Sequence, residues 1–549
     1  MTISSVQVLA DAIIRRAGVH EDVVWTTVVT RLATLVLDEH VALDLRLDPE
    51  VRELRELEGL SYEDLLDHLR VSEHLVQFLS AAEEPTPAGP PLCLVAEQYI
   101  AFRRLAHAEW RLSEAVTLAL SQPLEWPAGF SEMPSGIDDV GDAARRIMTH
   151  RLSLVVGGPG TGKTTLVARV LSALEAGATE GARLRVVLSA PTGKAVVRLI
   201  GDVSARAESE GWRAVRVEKS RSGSLHHLLG LTPESSVARR RVEADVVVVD
   251  EASMGSLGLV SELVRSLGEN TRLVLVGDPH QLASVDEGSV LADLLEASDV
   301  TGPLATVLTR VHRTDSAAVL AASRAVLEGD EAELRHVAEQ YPEFELLDQV
   351  TPHLLARVHD HVRRVGQLAM EGSGDEAWWA ARELAVLCAR REGTGSTRWW
   401  REALAARYRT EFPRVSASPF SLGESVMVTR NQSHLGVVNG DVGVVLPRRS
   451  GPVVYFGDGR EWPLPGVGYL ESAWALTIHK SQGSEYEEVV VSLGSVTESE
   501  LLSRELVYTG LTRAQRRVTV VGEPLVLRAA LSRRVSRTSS LVWRLAQLR

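Results

Sequence analysis

The chain has 549 residues, which is too long for one hydrophobic core and predicts three or four domains. Apolar residues make up 45% of it, as expected of a folded globular protein. The net charge of −14 argues against a protein that coats nucleic acid by bulk attraction, but it is compatible with one locally basic channel.

The sequence shows no sign of membrane insertion or secretion. No apolar run approaches the ~20 residues that span a bilayer. Residues 1–8 lack the basic and apolar blocks of a signal peptide, so we expect a cytoplasmic protein that does not bind membranes. Two cysteines, Cys93 and Cys388, are too few for an iron–sulfur cluster or a disulfide framework, and we expect buried free thiols.

The amino-terminal part of the chain has helical periodicity over residues 1–83. The proline-rich stretch 84–91 follows, which indicates either a stiff linker or an irregular crossing. A second amphipathic stretch covers residues 94–120. We therefore predict a helical amino-terminal domain over residues 1–125.

From Leu152 onward, short apolar runs alternate with helical stretches, which predicts an α/β fold with parallel sheets. We expect two such domains, the first over residues 126–318 and the second divided between 319–421 and 467–549. The segment between these two parts, 422–466, has alternating residues with Asn-Gly and Asp-Gly turns. We interpret it as a small β-barrel inserted in the second domain.

A glycine-rich loop, GGPGTGKTT, follows the first apolar run and fits the pattern G-x-x-x-x-G-K-[ST]. Such loops turn backbone N–H groups toward a nucleotide's phosphates. Lys163 would reach the β- and γ-phosphates, and Thr164 would ligate Mg²⁺. The predicted nucleotide contacts in this loop are Gly157, Gly158, Pro159, Gly160, Thr161, Gly162, Lys163, Thr164 and Thr165.

Two further strand ends carry residues that suit nucleotide hydrolysis. In VVVVDEASM, Asp250 would hold Mg²⁺ and Glu251 would act as the general base for the attacking water. In VGDPHQLASV, Gln281 is a candidate for sensing the γ-phosphate and orienting that water. Alone, each segment is also compatible with an ordinary turn, but together with the loop they predict ATP hydrolysis with Mg²⁺.

The ordered set of motifs resembles superfamily 1 helicases and, more narrowly, the RecD family, the alpha subunits of exonuclease V (the RecBCD complex). The resemblance covers about residues 140–549. The segments that carry it, besides those above, are APTGKAVVRL (190–199), SLHHLLG (224–230), VHRT (311–314), LCARREGTG (387–395), LGVVNGDVGVV (435–445), WALTIHKSQGSEYEEVVV (474–491) and ELVYTGLTRA (505–514). It implies two RecA-like P-loop NTPase domains and an SH3-like insert.

The resemblance also implies residue roles. Arg313 and Arg513 would be arginine fingers that stabilise charge on the γ-phosphate. Gly483 and Glu485 would approach the γ-phosphate and ribose, and His312 stands where many relatives place a tyrosine against the base. The predicted single-strand contacts are Pro191, Thr192, Lys194, His226, Thr477, His479 and Lys480. Only four residues of the chain are lysines, and three of them, Lys163, Lys194 and Lys480, fall in these motifs.

The chain departs from the family pattern in one respect, since residues 138–146 contain no glutamine where relatives have one that contacts adenine. We therefore expect a looser preference among nucleoside triphosphates. We find no nuclease signature. The resemblance implies an ATP-dependent 5′-to-3′ DNA helicase subunit that acts on single strands and duplex ends, in double-strand break repair and homologous recombination.

The expected partners are RecB-like and RecC-like chains, and the amino-terminal domain would dock on one of them. The apolar helices of that domain could equally form a core of their own. Three alternatives stay open: a stand-alone repair helicase, a subunit whose nucleotide site only regulates assembly, and a translocase on RNA.

Overall fold

The computed structural model describes residues 8–548, apart from 9, 16–17, 20–21, 132–138, 233–234, 236, 285, 310–316, 413–417, 496–501 and 536. Its strands form four sheets, two of them parallel. Cys93 and Cys388 are buried free thiols, as expected. In the described part of the chain, no helix combines the length and the apolar character that crossing a bilayer requires.

The amino-terminal region contains a sheet that the sequence did not predict. Its helices are α1 (Val23–Leu37), α2 (Pro49–Leu57), α3 (Tyr62–Arg70) and α4 (Arg103–Ser121). Its strands are β1 (Ala42–Asp44), β2 (Val76–Leu79), β3 (Leu92–Val95) and β4 (Tyr99–Phe102), paired in the order β1-β4-β3-β2.

The prediction of a purely helical amino-terminal domain was therefore wrong. The runs LCLV and YIAF are four residues long, and a short apolar run has no periodicity that separates a strand from a helix. Because β2 pairs with β3 in parallel, the chain must cross between them. The proline-rich stretch 84–91 is that irregular crossing rather than a linker between domains.

The first parallel sheet has the strand order β11-β5-β10-β9-β6-β7, with β8 beside β6. Its strands are β5 (Leu152–Gly157), β6 (Leu184–Ala190), β7 (Val215–Val217), β8 (Gly223–Ser224), β9 (Val246–Val249), β10 (Arg272–Gly277) and β11 (Ala305–Leu308). Its helices are α5 (Asp139–Thr149), α6 (Lys163–Ala176), α7 (Gly193–Glu210), α8 (Leu225–Leu229), α9 (Leu257–Ser266), α10 (Val290–Glu296) and α11 (Ser298–Thr301). The carboxyl ends of these strands lie at one edge, where ligands of such sheets bind.

Side chains of this sheet alternate between two cores. Val155 and Val248 face one core, and Leu154 and Val249 face another. The second core also contains Val28, Leu32 and Leu112 of the amino-terminal helices. The amino-terminal region therefore shares its apolar core with the first parallel-sheet domain.

The second parallel sheet has the order β12-β21-β20-β13-β19. Its strands are β12 (Phe344–Leu347), β13 (Leu384–Cys388), β19 (Leu476–Thr477), β20 (Tyr486–Gly494) and β21 (Ala514–Gly522). Its helices are α12 (Ala317–Glu328), α13 (Glu331–Gln340), α14 (Pro352–Met370), α15 (Gly374–Ala380), α16 (Thr397–Glu411), α17 (Arg504–Leu511) and α18 (Pro524–Ser532). The prediction of two parallel α/β units is thus confirmed by the pairing of their strands.

An antiparallel sheet interrupts the second unit between α16 and β19, in the order β17-β16-β15-β14-β18. Its strands are β14 (Ser425–Val428), β15 (Val442–Leu446), β16 (Val453–Tyr455), β17 (Glu461–Pro463) and β18 (Leu470–Ser472). The insert therefore extends beyond its predicted end at residue 466, because β18 pairs with β14.

The carboxyl-terminal segment, residues 537–546, leaves the second unit and returns to the amino-terminal region. The Thr538 carbonyl accepts hydrogen bonds from the backbone N–H groups of Val41 and Ala42. The segment ends in α19 (Leu541–Ala546), which packs on α4. The predicted unit 467–549 is thus too long, since its last residues pack in another part of the molecule.

Candidate nucleotide cleft and nucleic-acid groove

The glycine-rich loop joins β5 to α6. Gly160 and Gly162 have φ angles of 70° and 81°, in the left-handed region that favours glycine. A Cβ on Gly157 would lie 2.7 Å from Thr161 Oγ1, so a side chain there would obstruct the loop. Lys163 Nζ donates to the carbonyl oxygens of Gly157 (2.8 Å) and Gly158 (3.0 Å), and its ammonium therefore lies across the loop.

Two hard oxygen ligands meet beside the loop. Thr164 Oγ1 donates to Asp250 Oδ2 at 2.9 Å, and Asp250 directly follows β9. A hydroxyl and a carboxylate at this separation fit Mg²⁺, which takes one or two protein oxygens and completes its shell with water and phosphate. The described residues contain no cluster of three or more His, Cys, Asp or Glu that would hold a metal without such help.

Glu251 lies next to Asp250 with an unusual backbone, at φ 52°. Burial raises the pKa of its carboxyl, the nearby Arg513 guanidinium lowers it, and Asp250 raises it again. A carboxyl with a raised pKa is a better proton acceptor near neutral pH than an ordinary glutamate. The position and the direction of the shift both suit a general base.

Arg513 approaches the same place from the second parallel-sheet unit, directly after α17. It is buried, and its guanidinium donates to the carbonyl oxygens of Thr509 (3.2 Å) and Ser484 (3.5 Å). These bonds fix the side chain against its own unit. Because Arg513 lowers the pKa of Glu251, its positive charge lies close to the candidate base.

A cleft of about 830 Å³ lies between the two units. From the first unit it is lined by Pro159, Gly160, Gly162, Lys163, Thr164, Thr165, Asp250, Glu251 and Gln281, and from the second by Gly483, Glu485 and Arg513. The structure thus brings twelve of the sequence-predicted residues to one cleft. His312 and Arg313 lie outside the described residues.

Two polar contacts at or beside this cleft were not predicted from the sequence. Arg198 of α7 forms an ion pair with Glu485 at 3.1 Å, although it lies inside a quoted motif. Tyr508 of α17 donates its hydroxyl to Asp278 Oδ2 at 2.9 Å, across the interface between the units. Neither pair has a sequence signal, because its members are 287 and 230 residues apart.

A second depression, a groove of about 860 Å³, receives all the residues predicted to contact a strand. Its lining includes Pro191, Thr192, Lys194, His226, Thr477, His479 and Lys480. The first four come from the first unit and the last three from the second. The structure brings these residues to one groove, and their contact with nucleic acid stays a prediction.

The lysines of the groove are engaged with protein groups. Lys194 Nζ donates to Ser484 Oγ at 2.5 Å, and burial lowers the pKa of this ammonium to about 8. Lys480 Nζ pairs with Glu471 at 2.6 Å. Thr192 caps α7, since its hydroxyl accepts from the Ala195 N–H. These three residues therefore have structural partners as well as a place in the groove.

The groove also contains two arginines that were not predicted from the sequence, Arg390 and Arg391, which follow β13. Within the described residues, neither guanidinium has an ion-pair partner, whereas neighbouring Arg398 pairs with Glu392 and Glu402. Burial and the charge of Arg391 both lower the pKa of His479. The groove thus has unpaired positive charge on the side of the second unit.

Comparison with known protein families gives two matches. Residues 141–343 match the AAA domain family, and residues 472–521 match the UvrD-like helicase C-terminal domain family. The first matched segment contains the nucleotide loop, and the second contains Arg513.

Curated relatives cover most of the chain. It is 35% identical over 537 residues to the RecBCD enzyme subunit RecD of Mycobacterium tuberculosis, covering 92% of each protein. It is 29% identical to the RecBCD enzyme subunit RecD of Haemophilus influenzae, over 71% of this chain and 69% of that one. It is 30% identical to the ATP-dependent RecD2 DNA helicase of Deinococcus radiodurans, over 76% of this chain but 52% of that one.

Among solved structures, a Bacteroides Pif1 helicase bound to single-stranded DNA matches with a TM-score of 0.39 and 17% identity, covering 70% of this chain and 91% of that one.

Proposed function

The chain belongs to the RecD family of RecBCD enzyme subunits, and from that premise we propose that it is an ATP-dependent DNA helicase subunit of a RecBCD-type enzyme. The observation that carries the proposal is the meeting of two parallel-sheet units at a nucleotide cleft, next to a groove lined by both units. A motor needs this arrangement, because hydrolysis in the nucleotide cleft must change the contacts that the groove makes with the strand.

In the cleft, Lys163 would bind the β- and γ-phosphates, and Thr164 and Asp250 would hold Mg²⁺. When bound, this ion neutralises developing charge on the phosphates. Glu251 would take the proton of the attacking water, and Arg513 would stabilise the charge that spreads over the γ-phosphate oxygens. Arg313 would supply a second guanidinium.

Turnover would depend on closure of the cleft, because the two units supply different parts of its chemistry. Lys163, Glu251 and the metal ligands lie on the first unit, and Arg513 lies on the second. Separation of the units by a few ångströms would remove the guanidinium from the γ-phosphate. Each cycle of binding and hydrolysis would therefore move one wall of the groove against the other.

In the groove, the strand contacts would be made mainly to phosphates, which carry no sequence information. Arg390 and Arg391 extend the predicted set on the second unit, because their guanidinium groups lack carboxylate partners among the described residues. His226 and His479 can stack on bases. Burial lowers the pKa of His479, so that ring is neutral at pH 7.

We also propose the finer features that the family implies. The motor would move 5′ to 3′ on DNA, in the cytoplasm, during double-strand break repair and homologous recombination, beside RecB-like and RecC-like chains that supply any nuclease activity. The two α/β units would be RecA-like and the antiparallel insert SH3-like. Docking through the amino-terminal region is supported by Leu47, Leu57 and Val71, which are large apolar residues exposed on its surface.

The test is hydrolysis and unwinding by the full chain, alone and purified with chains co-expressed from neighbouring genes. We expect single-stranded DNA to stimulate ATP hydrolysis and the complex to unwind blunt duplex. Lys163→Gln should reduce hydrolysis to background, because the phosphate contact is lost. Lys219→Gln is the matched control, since Lys219 is the one lysine outside the motifs and pairs with Glu208 on an exposed surface.

Absence of stimulation by single-stranded DNA, both in the chain alone and in its complex, would show that the chain is not a motor. Equal stimulation by single-stranded RNA would instead identify the groove as one that does not distinguish the two nucleic acids.

A further inference from the structure

Asp278 is a fully buried carboxylate that no step of the proposed mechanism uses. It lies just after β10, at the strand end that also carries Gln281. Its Oδ1 accepts the N–H of His280 at 3.0 Å. A buried carboxylate that lacks enough hydrogen-bond donors is strongly unfavourable. The donors that reach its second oxygen should therefore differ between the closed and the open cleft.

Asp278 Oδ2 is shared by donors from the two units. Gln281 Nε2, from the same unit, donates at 3.3 Å, whereas the Tyr508 hydroxyl, from the opposite unit, donates at 2.9 Å. Burial and the Asp278 carboxylate raise the pKa of Tyr508 well above its ordinary value, so the hydroxyl keeps its proton. The tyrosine is therefore the closer donor, and the glutamine bond is at the long end of the range.

Other contacts fix the tyrosine at this interface. The next residue on α17, Thr509, accepts the Leu282 N–H through its hydroxyl at 2.9 Å. The Tyr508 hydroxyl also lies 3.4 Å from the position that a Cβ on Gly158 would occupy, so it adjoins the nucleotide loop. α17 thus holds the segment that contains Gln281 and reaches the loop with the same side chain.

We propose that Tyr508 is a positioning residue that frees Gln281 for the attacking water. With α17 docked, the Tyr508 hydroxyl provides the shorter bond to Asp278 Oδ2 and leaves the Gln281 amide a long one of 3.3 Å, which it can exchange for the attacking water. When the units separate, Oδ2 has only Gln281 as a side-chain donor among the described residues, and the amide is held on the carboxylate. The inference rests on the proposed function, since it assigns Gln281 a part in hydrolysis.

The helix that carries Tyr508 also ends next to Arg513. One docking movement therefore inserts the guanidinium and weakens the hold of Asp278 on the glutamine. Water activation and charge stabilisation would then occur only in the closed cleft, which prevents hydrolysis when the two units are apart.

The experiment is a double-mutant cycle on the full chain with its co-purified partners. Tyr508→Phe, Gln281→Ala and the double variant are compared by kcat and KM for ATP at saturating single-stranded DNA. We expect Tyr508→Phe to lower kcat by roughly 10- to 100-fold, with KM changed by less than about twofold. In the Gln281→Ala background the same substitution should change kcat by less than about threefold, because both changes remove one function.

Tyr408→Phe is the matched control. Tyr408 is fully buried in the second unit, and its hydroxyl donates to the Leu422 carbonyl at the same distance of 2.9 Å, away from the cleft. A purely structural loss of a tyrosine hydroxyl would lower the melting temperature of both variants and leave kcat near wild type in both. Only the positioning role predicts a kcat effect confined to Tyr508.

Multiplicative effects of Tyr508→Phe and Gln281→Ala would overturn the inference, as would a normal kcat in Tyr508→Phe. A normal kcat in Gln281→Ala would overturn both the inference and the proposed role of Gln281. If the wild-type protein itself hydrolysed no ATP in the presence of DNA, the proposed function would fail, and this outcome is separate from the others.

Discussion

Replacing Asp293 with asparagine probes the polar cluster that fastens the carboxyl-terminal segment to the rest of the molecule. Asp293, on α10, is buried near Glu109, Ser539 and Arg537. Burial raises the pKa of this carboxyl from 3.8 to about 7. Glu109 is fully buried as well, and its pKa is also raised, although Ser539 and Ser540 donate to it.

The sign and size of the effect follow from that shift. Below pH 3.8 Asp293 is protonated in the folded and the unfolded chain, and its contribution to stability is fully present. Between pH 3.8 and about 7 the unfolded chain releases the proton and the folded one retains it, so stability falls as pH rises. A shift of about three pKa units corresponds to a loss of roughly 4 kcal/mol in the free energy of unfolding by pH 8.

The assay is denaturant unfolding between pH 5 and pH 8, followed by intrinsic fluorescence. Asp293→Asn should remove most of the contribution that the Asp293 carboxyl makes to the pH dependence of stability. It should also raise the denaturant midpoint of unfolding at pH 8. The variant is compared with wild type at each pH, because His361 opposes the trend: burial lowers its pKa to about 4, so its contribution to stability rises with pH. Glu296→Gln, an exposed change on the same helix, is the control; because the Glu296 charge makes a minor contribution to the raised pKa of Asp293, this variant should alter the pH dependence only slightly.

Retention of the wild-type pH dependence in Asp293→Asn would refute this reasoning. So would an equal change in the Glu296→Gln control, because an exposed carboxyl on the same helix has no burial to relieve.

Three further predictions concern the cleft and the groove. Arg513→Ala should slow turnover by about 10³-fold while nucleotide binding persists; normal turnover, measured beside calorimetric titration, would show that the finger is misplaced. Arg391→Ala should weaken single-strand binding and reduce the slope of the log binding constant against the log salt concentration by about one phosphate contact. Arg398→Ala, which removes an ion-paired arginine, should leave that slope unchanged. An unchanged slope in Arg391→Ala would exclude a phosphate contact. GTP and CTP should support hydrolysis within about tenfold of ATP, since residues 138–146 contain no glutamine to read adenine; strict rejection of both would show that another group selects the base.

The nucleotide loop could be predicted from sequence because its function lies in adjacent residues. Glycines at fixed spacing determine the backbone path, and Lys163 and Thr164 follow them directly. The same holds for Asp250 and Glu251, which follow a run of β-branched valines that is typical of a buried strand. In each case the chemistry and the local structure are encoded in fewer than ten residues.

The remaining features depend on contacts between distant parts of the chain. The pairing of Tyr508 with Asp278 requires both parallel-sheet units to be in place. The return of Thr538 to β1 joins residues about 500 apart in sequence, and no local pattern marks it. The amino-terminal sheet was missed for a different reason, since its strands are too short to show a period.

Lys194 shows how a correctly located residue can still have an unpredicted environment. The sequence predicts it among the single-strand contacts, and it does line the groove. Its ammonium, however, bonds to Ser484 of the opposite unit, and one turn further along α7, Arg198 pairs with Glu485. A spacing of four residues puts both side chains on one helix face, which explains why they reach adjacent residues.

This helix therefore joins the two openings of the molecule. Its first turn lines the groove, and its second turn lines the nucleotide cleft. Both turns hold the same loop of the opposite unit, at Ser484 and Glu485. A movement of that loop must alter the groove and the cleft together, because Lys194 and Arg198 are fixed to one rigid helix. The coupling that a motor requires thus has a short physical path, through a single turn of helix and two consecutive residues.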